Sequence, residues 1–185
     1  QGQILDAVSI RERPAEVRDR AVPGHWEGDL LEGARGTFIA TLVERQSRYV
    51  LLGRLPSKDT HTVTRAIARR IQRLPLGLMK SLTWDRGGEL AAHRAFTVAT
   101  NVKVYFCDPR SPWQRGSNEN TNGLLRQYFP KGTDLSGYHP DYLRNALEAY
   151  ARGERKSGIM RPVAASLDAA ALGSYFGVLR ISEMI

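Results

Sequence analysis

Three strand-like runs in immediate succession, followed by alternating helix and strand, constrain the fold of this chain more than anything else in it. Residues 25–31, 37–44 and 49–55 are separated only by the turn-rich pieces 32–36 and 45–48, the pattern of an antiparallel meander. Residues 59–74 then carry Val63, Ile67, Ile71 and Leu74 at helical spacing, with Arg65, Arg69, Arg70 and Arg73 expected on a solvated face. Residues 80–84 read as a short strand, 89–100 as a helix and 103–107 as another short strand. Pro109, Pro112 and Gly116 mark a loop before a helix over 117–129, which Pro130 ends. A further helix is predicted from Pro140 to about Tyr150. The order β-β-β-α-β-α-β-α implies an α/β fold with a mixed sheet, three antiparallel strands first and then parallel strands reached through helices.

At 185 residues the chain can bury a core of its own. No apolar run approaches the roughly 18 residues of a membrane span, and no signal-peptide pattern opens the chain. A soluble, cytoplasmic protein is therefore expected. The lone Cys107 excludes an internal disulfide and a multi-cysteine zinc site, which suits a reducing compartment. His61, His93 and His139 lack zinc spacing.

The net charge of +8 and the pI near 10.0 point to a polyanionic partner. Residues 1–22 are neutral, with four basic and four acidic side chains, and 141–185 are nearly so, with six and five. The excess therefore lies in 23–140, where 17 basic residues face 10 acidic ones. A basic surface around a few acids suits a site that holds phosphates with cations and metal ions with carboxylates.

Two carboxylates stand out within that region. Asp29 interrupts the apolar run Gly28-Asp29-Leu30-Leu31, and Asp85 closes the strand Leu82-Thr83-Trp84-Asp85 just before Arg86-Gly87-Gly88. A carboxylate in a central strand is costly to bury without a compensating cation. If the two strands are neighbours, both can point to one spot, where a divalent ion is the obvious partner. Glu119, near the start of the helix over 117–129, is the third acid. Mg²⁺ takes hard oxygen ligands, and phosphoryl chemistry often uses two ions about 4 Å apart. Asp29 would serve both ions, Asp85 one and Glu119 the other. Glu27 shares a sheet face with Asp29 by strand alternation and is read as structural or supporting; Trp84 and Tyr105 are read as core.

Five segments resemble the DDE transposases of bacterial insertion sequences, most closely the insertion sequence 30 family. They are Gly24-His25-Trp26-Glu27-Gly28-Asp29-Leu30, Thr41-Leu42-Val43-Glu44-Arg45, Leu82-Thr83-Trp84-Asp85-Arg86-Gly87, Val104-Tyr105-Phe106-Cys107-Asp108-Pro109, and the run from Ser111-Pro112-Trp113-Gln114-Arg115 to Arg126. Between Asp85 and Glu119 lie 33 residues, a short second interval of the kind this group has. The resemblance implies a ribonuclease-H-like fold with Asp29, Asp85 and Glu119 as catalytic metal ligands. It also implies dependence on Mg²⁺ or Mn²⁺, as two ions. The reaction it implies is cleavage of DNA at element ends followed by strand transfer. The implied partners are double-stranded DNA, at element ends and target, and further copies of the chain in a homodimer or larger synaptic complex. The same resemblance implies a bacterial cytoplasm and association with the nucleoid.

On this reading residues 1–22 are a linker or arm following a DNA-binding region, 23–150 the catalytic core and 151–185 a divergent tail. In that tail only Arg155-Lys156 fits the family pattern, which leaves a catalytically inactive DNA-binding or regulatory remnant as the alternative function. Candidate DNA contacts are Arg86, Trp113, Arg115, Asn118, Asn122, Arg126 and Lys131, which lie beside the acids in sequence. Arg115 suits bidentate phosphate binding, and Trp113 suits stacking on an unpaired base.

Overall fold

Strand β1 (His25–Glu32) runs through the middle of a five-stranded sheet of order β3-β2-β1-β4-β5. Its neighbours are β2 (Phe38–Glu44) and β4 (Ser81–Trp84), with β3 (Val50–Leu55) and β5 (Lys103–Phe106) outside them. The computed structural model describes residues 4–17, 21–75 and 77–137. The helix predicted from Pro140 and the tail over 151–185 lie outside the described residues.

β1, β2 and β3 pair antiparallel, while β4 and β5 run parallel to β1. Helix α1 (Thr60–Ile71) connects β3 to β4, and α2 (His93–Thr100) connects β4 to β5. Helix α3 (Gly116–Tyr128) follows β5. This is the mixed sheet expected from the order of elements.

Alternation divides the sheet into two different faces. Trp26, Ala40, Leu42, Leu82, Trp84, Val104 and Phe106 join Val63, Ile67 and Ile71 of α1 and Phe96 of α2 in one apolar core. Glu27, Asp29, Thr41 and Thr83 point to the other face, where α3 and part of the N-terminal segment lie. That segment pairs Ser9 with Phe106 beyond β5, buries Ile10 and Val17, and sends Arg13 to Thr83.

The apolar face is tight enough to dictate a glycine. A Cβ on Gly28 would sit 2.3 Å from Trp84 Cζ3, so Trp84 packs directly on the β1 backbone. α1 opens at Asp59, whose carboxylate accepts from the Thr62 N–H as an N-cap.

Two elements depart from expectation. Arg70 is buried rather than solvated: it lies against Gly53, where a Cβ would come within 2.5 Å of its Nε, and it donates to the Leu52 carbonyl at 2.6 Å. The helix expected over 89–100 is a 3-10 turn, Gly88–Leu90, followed by α2. The Ala92 N–H between them donates to Thr60 Oγ1 of α1 at 2.8 Å instead of to a helical carbonyl.

Candidate active site

The β1–β4 register brings the two aspartates together. Glu27 pairs with Thr83 in the parallel ladder, and two residues further the same register sets Asp29 beside Asp85. Both carboxylates reach one cation. Arg115 Nη1 lies 3.1 Å from Asp29 Oδ2, and Nη2 lies 3.6 Å from Asp85 Oδ2. Arg115 is buried, projects from the 3-10 turn Pro112–Arg115, and also donates to the Gly28 carbonyl at 3.0 Å.

The electrostatics follow from burial. Desolvation raises the Asp29 pKa above its ordinary value; Arg115 and the Leu30 N–H oppose that rise, and Asp85 adds to it. Burial works against the charge on Arg115, yet Asp29 and Asp85 hold its pKa above the usual arginine value. Glu89, absent from the sequence-based set, belongs to the same field. Burial raises its pKa first, and the negative charges of Asp85 and Asp29 add to the rise. Its carboxylate folds back over Gly87, where a Cβ would lie 2.2 Å from Oε2. Gly87-Gly88, one residue beyond Asp85 and immediately before Glu89, is the sequence signal that could have found it.

Glu119 is exposed in the first turn of α3. One turn later Asn122 Nδ2 donates to Asp29 Oδ2 at 3.2 Å, so the face of α3 that bears Glu119 and Asn122 is turned toward Asp29. Asn122 Oδ1 is buried with no hydrogen-bond partner among the described residues.

The start of α3 is fastened to β1 and β2. Glu27 Oε2 accepts from the backbone N–H groups of Ser117 and Asn118 at 2.8 and 3.0 Å, and Oε1 accepts from Arg45 Nε at 2.8 Å. Asn118 Nδ2 donates to the Glu27 and Thr41 carbonyls at 3.0 and 3.1 Å. Asn118 has no exposed surface, so it has none to offer the DNA contact expected of it. Arg115, held between the aspartates, is likewise not a surface cation here. Of the other candidates, Trp113 is 71% exposed, Arg86 and Lys131 are exposed, and Arg126 is partly exposed.

A family model for the integrase core domain matches residues 19–112. The chain belongs to that family. It is 57% identical over 135 residues to the transposase InsI for insertion sequence element IS30A of Escherichia coli (strain K12), covering 73% of this chain and 35% of that one. It is 54% identical over 144 residues to the transposase for insertion sequence element IS1086 of Cupriavidus metallidurans, covering 77% and 42%. The chain thus spans about a third to two fifths of the length of these curated relatives. Its fold is similar to that of a chain in the simian T-cell lymphotropic virus intasome in complex with PP2A regulatory subunit B56 gamma. That likeness has a TM-score of 0.54 at 18% identity and covers 75% of this chain and 52% of that one. The sheet is thus the ribonuclease-H-like sheet of an integrase core.

The integrase core family is metal-dependent in general, and the donors in this chain fit that property. Asp29, Asp85, Glu119 and Glu89 offer hard carboxylate oxygens, and a positive group already sits between the first two. Among the described residues no three His, Cys, Asp or Glu side chains are gathered closely enough to enclose an ion. Among the same residues no helix is long and apolar enough to cross a membrane.

Proposed function

We propose that this chain is the catalytic core of an insertion-sequence transposase, cleaving DNA at element ends and joining the freed strand to a target. The observation that carries this reading is the convergence of Asp29 and Asp85 on one cationic group at the β1–β4 seam of an integrase core. Asp29, Asp85 and Glu119 would hold Mg²⁺ or Mn²⁺, as two ions. When bound, such ions activate the attacking oxygen and stabilise the leaving one.

The chain's own residues position and neutralise. Asn122 orients the Asp29 carboxylate through its amide. Arg115 balances the two aspartates before metal arrives. Trp113, at the exposed lip of the loop before α3, has the free face that stacking on a splayed base requires. Arg86, Arg126 and Lys131 supply phosphate contacts at the same end of the sheet. Double-stranded DNA is the substrate, and joining two element ends calls for a homodimer or larger synaptic assembly. The similarity in fold to a chain of a viral intasome supports that assembly. The place of action is the bacterial cytoplasm, on the nucleoid.

The test uses a duplex carrying the ends of the element that encodes the chain. The parent nicks it in Mn²⁺, and Asp85→Asn or Glu119→Gln abolishes nicking with the far-UV spectrum unchanged. Equal nicking by parent and variants would sink the assignment.

A further inference from the structure

We infer that Glu27 is a positioning residue that sets the place of Glu119 against Asp29, and that it is not itself a metal ligand. The inference rests on the transposase reading above and assigns a role to a residue outside the acidic triad.

Helix α3 has no cap of its own. The residue at its N-cap position is Arg115, which has no accepting side-chain atom, and no side-chain cap hydrogen bond is made there. A helix start leaves its first N–H groups without partners, and here the second and third, from Ser117 and Asn118, point into the protein. Glu27 meets both with Oε2. It reaches them from β1, 90 residues away in sequence. The cap that a local Ser or Asp usually supplies is therefore supplied by the strand that also carries Asp29.

This has a geometric consequence. Glu27 and Asp29 are two residues apart on one strand and share a face. Ser117 and Asn118 immediately precede Glu119 on the helix. The link from Asp29 to Glu119 is thus a strand, one carboxylate and one helical turn, none of which is a loop. Asn118 doubles the link by donating to the Glu27 and Thr41 carbonyls, and Arg48 contacts the Ser117 hydroxyl.

The same contacts exclude Glu27 as a ligand. Oε1 is held by Arg45, Oε2 by two N–H groups, and the side chain is 1% exposed. A metal ion would have to replace three hydrogen bonds in a place water does not reach. Partners that orient metal ligands typically change metal affinity or activity by about 10–100-fold when removed.

Two double variants separate positioning from bulk stability. Removing Glu27 alone would strand Arg45 as a buried unpaired charge, whereas replacing both partners with uncharged side chains of similar size is tolerated. Glu27→Gln/Arg45→Met keeps an oxygen that can accept from Ser117 and Asn118. Glu27→Leu/Arg45→Met removes that acceptor with the same loss of charge. The 185-residue chain is titrated with Mn²⁺ by calorimetry without DNA, and nicking of supercoiled plasmid in Mn²⁺ gives kcat and KM. The Gln variant stays within about threefold of the parent, and the Leu variant loses about tenfold or more in Mn²⁺ affinity and in kcat, with KM for DNA unchanged. Folding is checked by far-UV circular dichroism at the assay temperature. A folded Leu variant with parental Mn²⁺ affinity and kcat overturns the inference. A change in KM alone does so too. If the parent binds Mn²⁺ but nicks nothing, the transposase reading fails, and the Mn²⁺ affinities of the two variants still decide the role of Glu27.

Discussion

Removing Arg115 should expose what it does for the two aspartates. In Arg115→Met, Asp29 and Asp85 face each other without the guanidinium that lies 3.1 and 3.6 Å from them. Breaking a fully buried pair by deleting one partner costs about 3–5 kcal/mol. Asp29 is 24% and Asp85 39% exposed at the side chain, so solvent screens part of that loss. About 2–3 kcal/mol remains at pH 7.5, of which about 1 kcal/mol is the lost hydrogen bond to the Gly28 carbonyl. The charge part depends on pH, and its sign follows from Asp29. A folded-state pKa above the ordinary 3.8 means that the folded chain binds the proton more tightly than the unfolded chain. Stability therefore falls as pH rises from 3.8 through the raised value and is level above it. Deleting Arg115 removes a group that lowers this pKa, so the fall is deeper in the variant. The difference in melting temperature between parent and variant, measured without metal, is expected to be roughly 4–12 °C at pH 7.5. At pH 4, close to the ordinary carboxylate value of 3.8, the difference is smaller. Millimolar Mn²⁺ should then raise the melting temperature more in the variant than in the parent, because no guanidinium has to leave. A loss of equal size at pH 4 and pH 7.5, together with equal Mn²⁺ shifts, would refute the counter-ion role.

Two further expectations are simpler to check. Gly28→Ala places a Cβ 2.3 and 2.4 Å from two Trp84 ring carbons, and the overpacking should cost about 3 kcal/mol in urea denaturation. Adding Trp84→Phe should recover about 1–2 kcal/mol of it, and strict additivity of the two changes would show that they do not touch. Burial pushes the Cys107 thiol up to about 11 from an ordinary 9.0, which leaves about a hundredfold less thiolate at pH 8. Iodoacetamide should label the chain only after unfolding; labelling of the folded chain at the rate of a free cysteine contradicts this.

What the sequence could reveal was what local pattern encodes. Strand alternation put Glu27 and Asp29 on one face, and helical spacing put Val63, Ile67 and Ile71 in the core. Succession of elements gave the sheet its mixed character, and with β1 beside β4 the two aspartates had to meet. What it could not reveal were partners supplied from far along the chain. Arg45 lies 18 residues from Glu27 and Ser117 lies 90 residues away, so alternation identified the face of Glu27 but not its work. Asn118 and Arg115 read as DNA contacts because they flank an acid in sequence. The side chain of Asn118 instead reaches into the β1–β2 seam, and Arg115 turns onto the aspartates. Arg70 failed for a related reason, since only Gly53 on β3 opens the space that buries it.

The two acids of β1 show how one strand can keep one carboxylate for structure and leave another open to solvent. Both have an arginine partner, so charge pairing does not separate them. The setting of each pair does. Glu27 is 1% exposed, its arginine follows directly on β2, and its remaining oxygen is taken by two backbone N–H groups. Exchanging that cation would unfasten a helix. Asp29 is 24% exposed, its arginine sits on a short 3-10 turn between β5 and α3, and its other contacts are a backbone N–H and the Asn122 amide. Exchanging that cation disturbs one turn of the chain. On the proposed function, a hard metal ion entering from solvent would compete with Arg115 at Asp29, and Glu27 would hold the framework against which that exchange takes place.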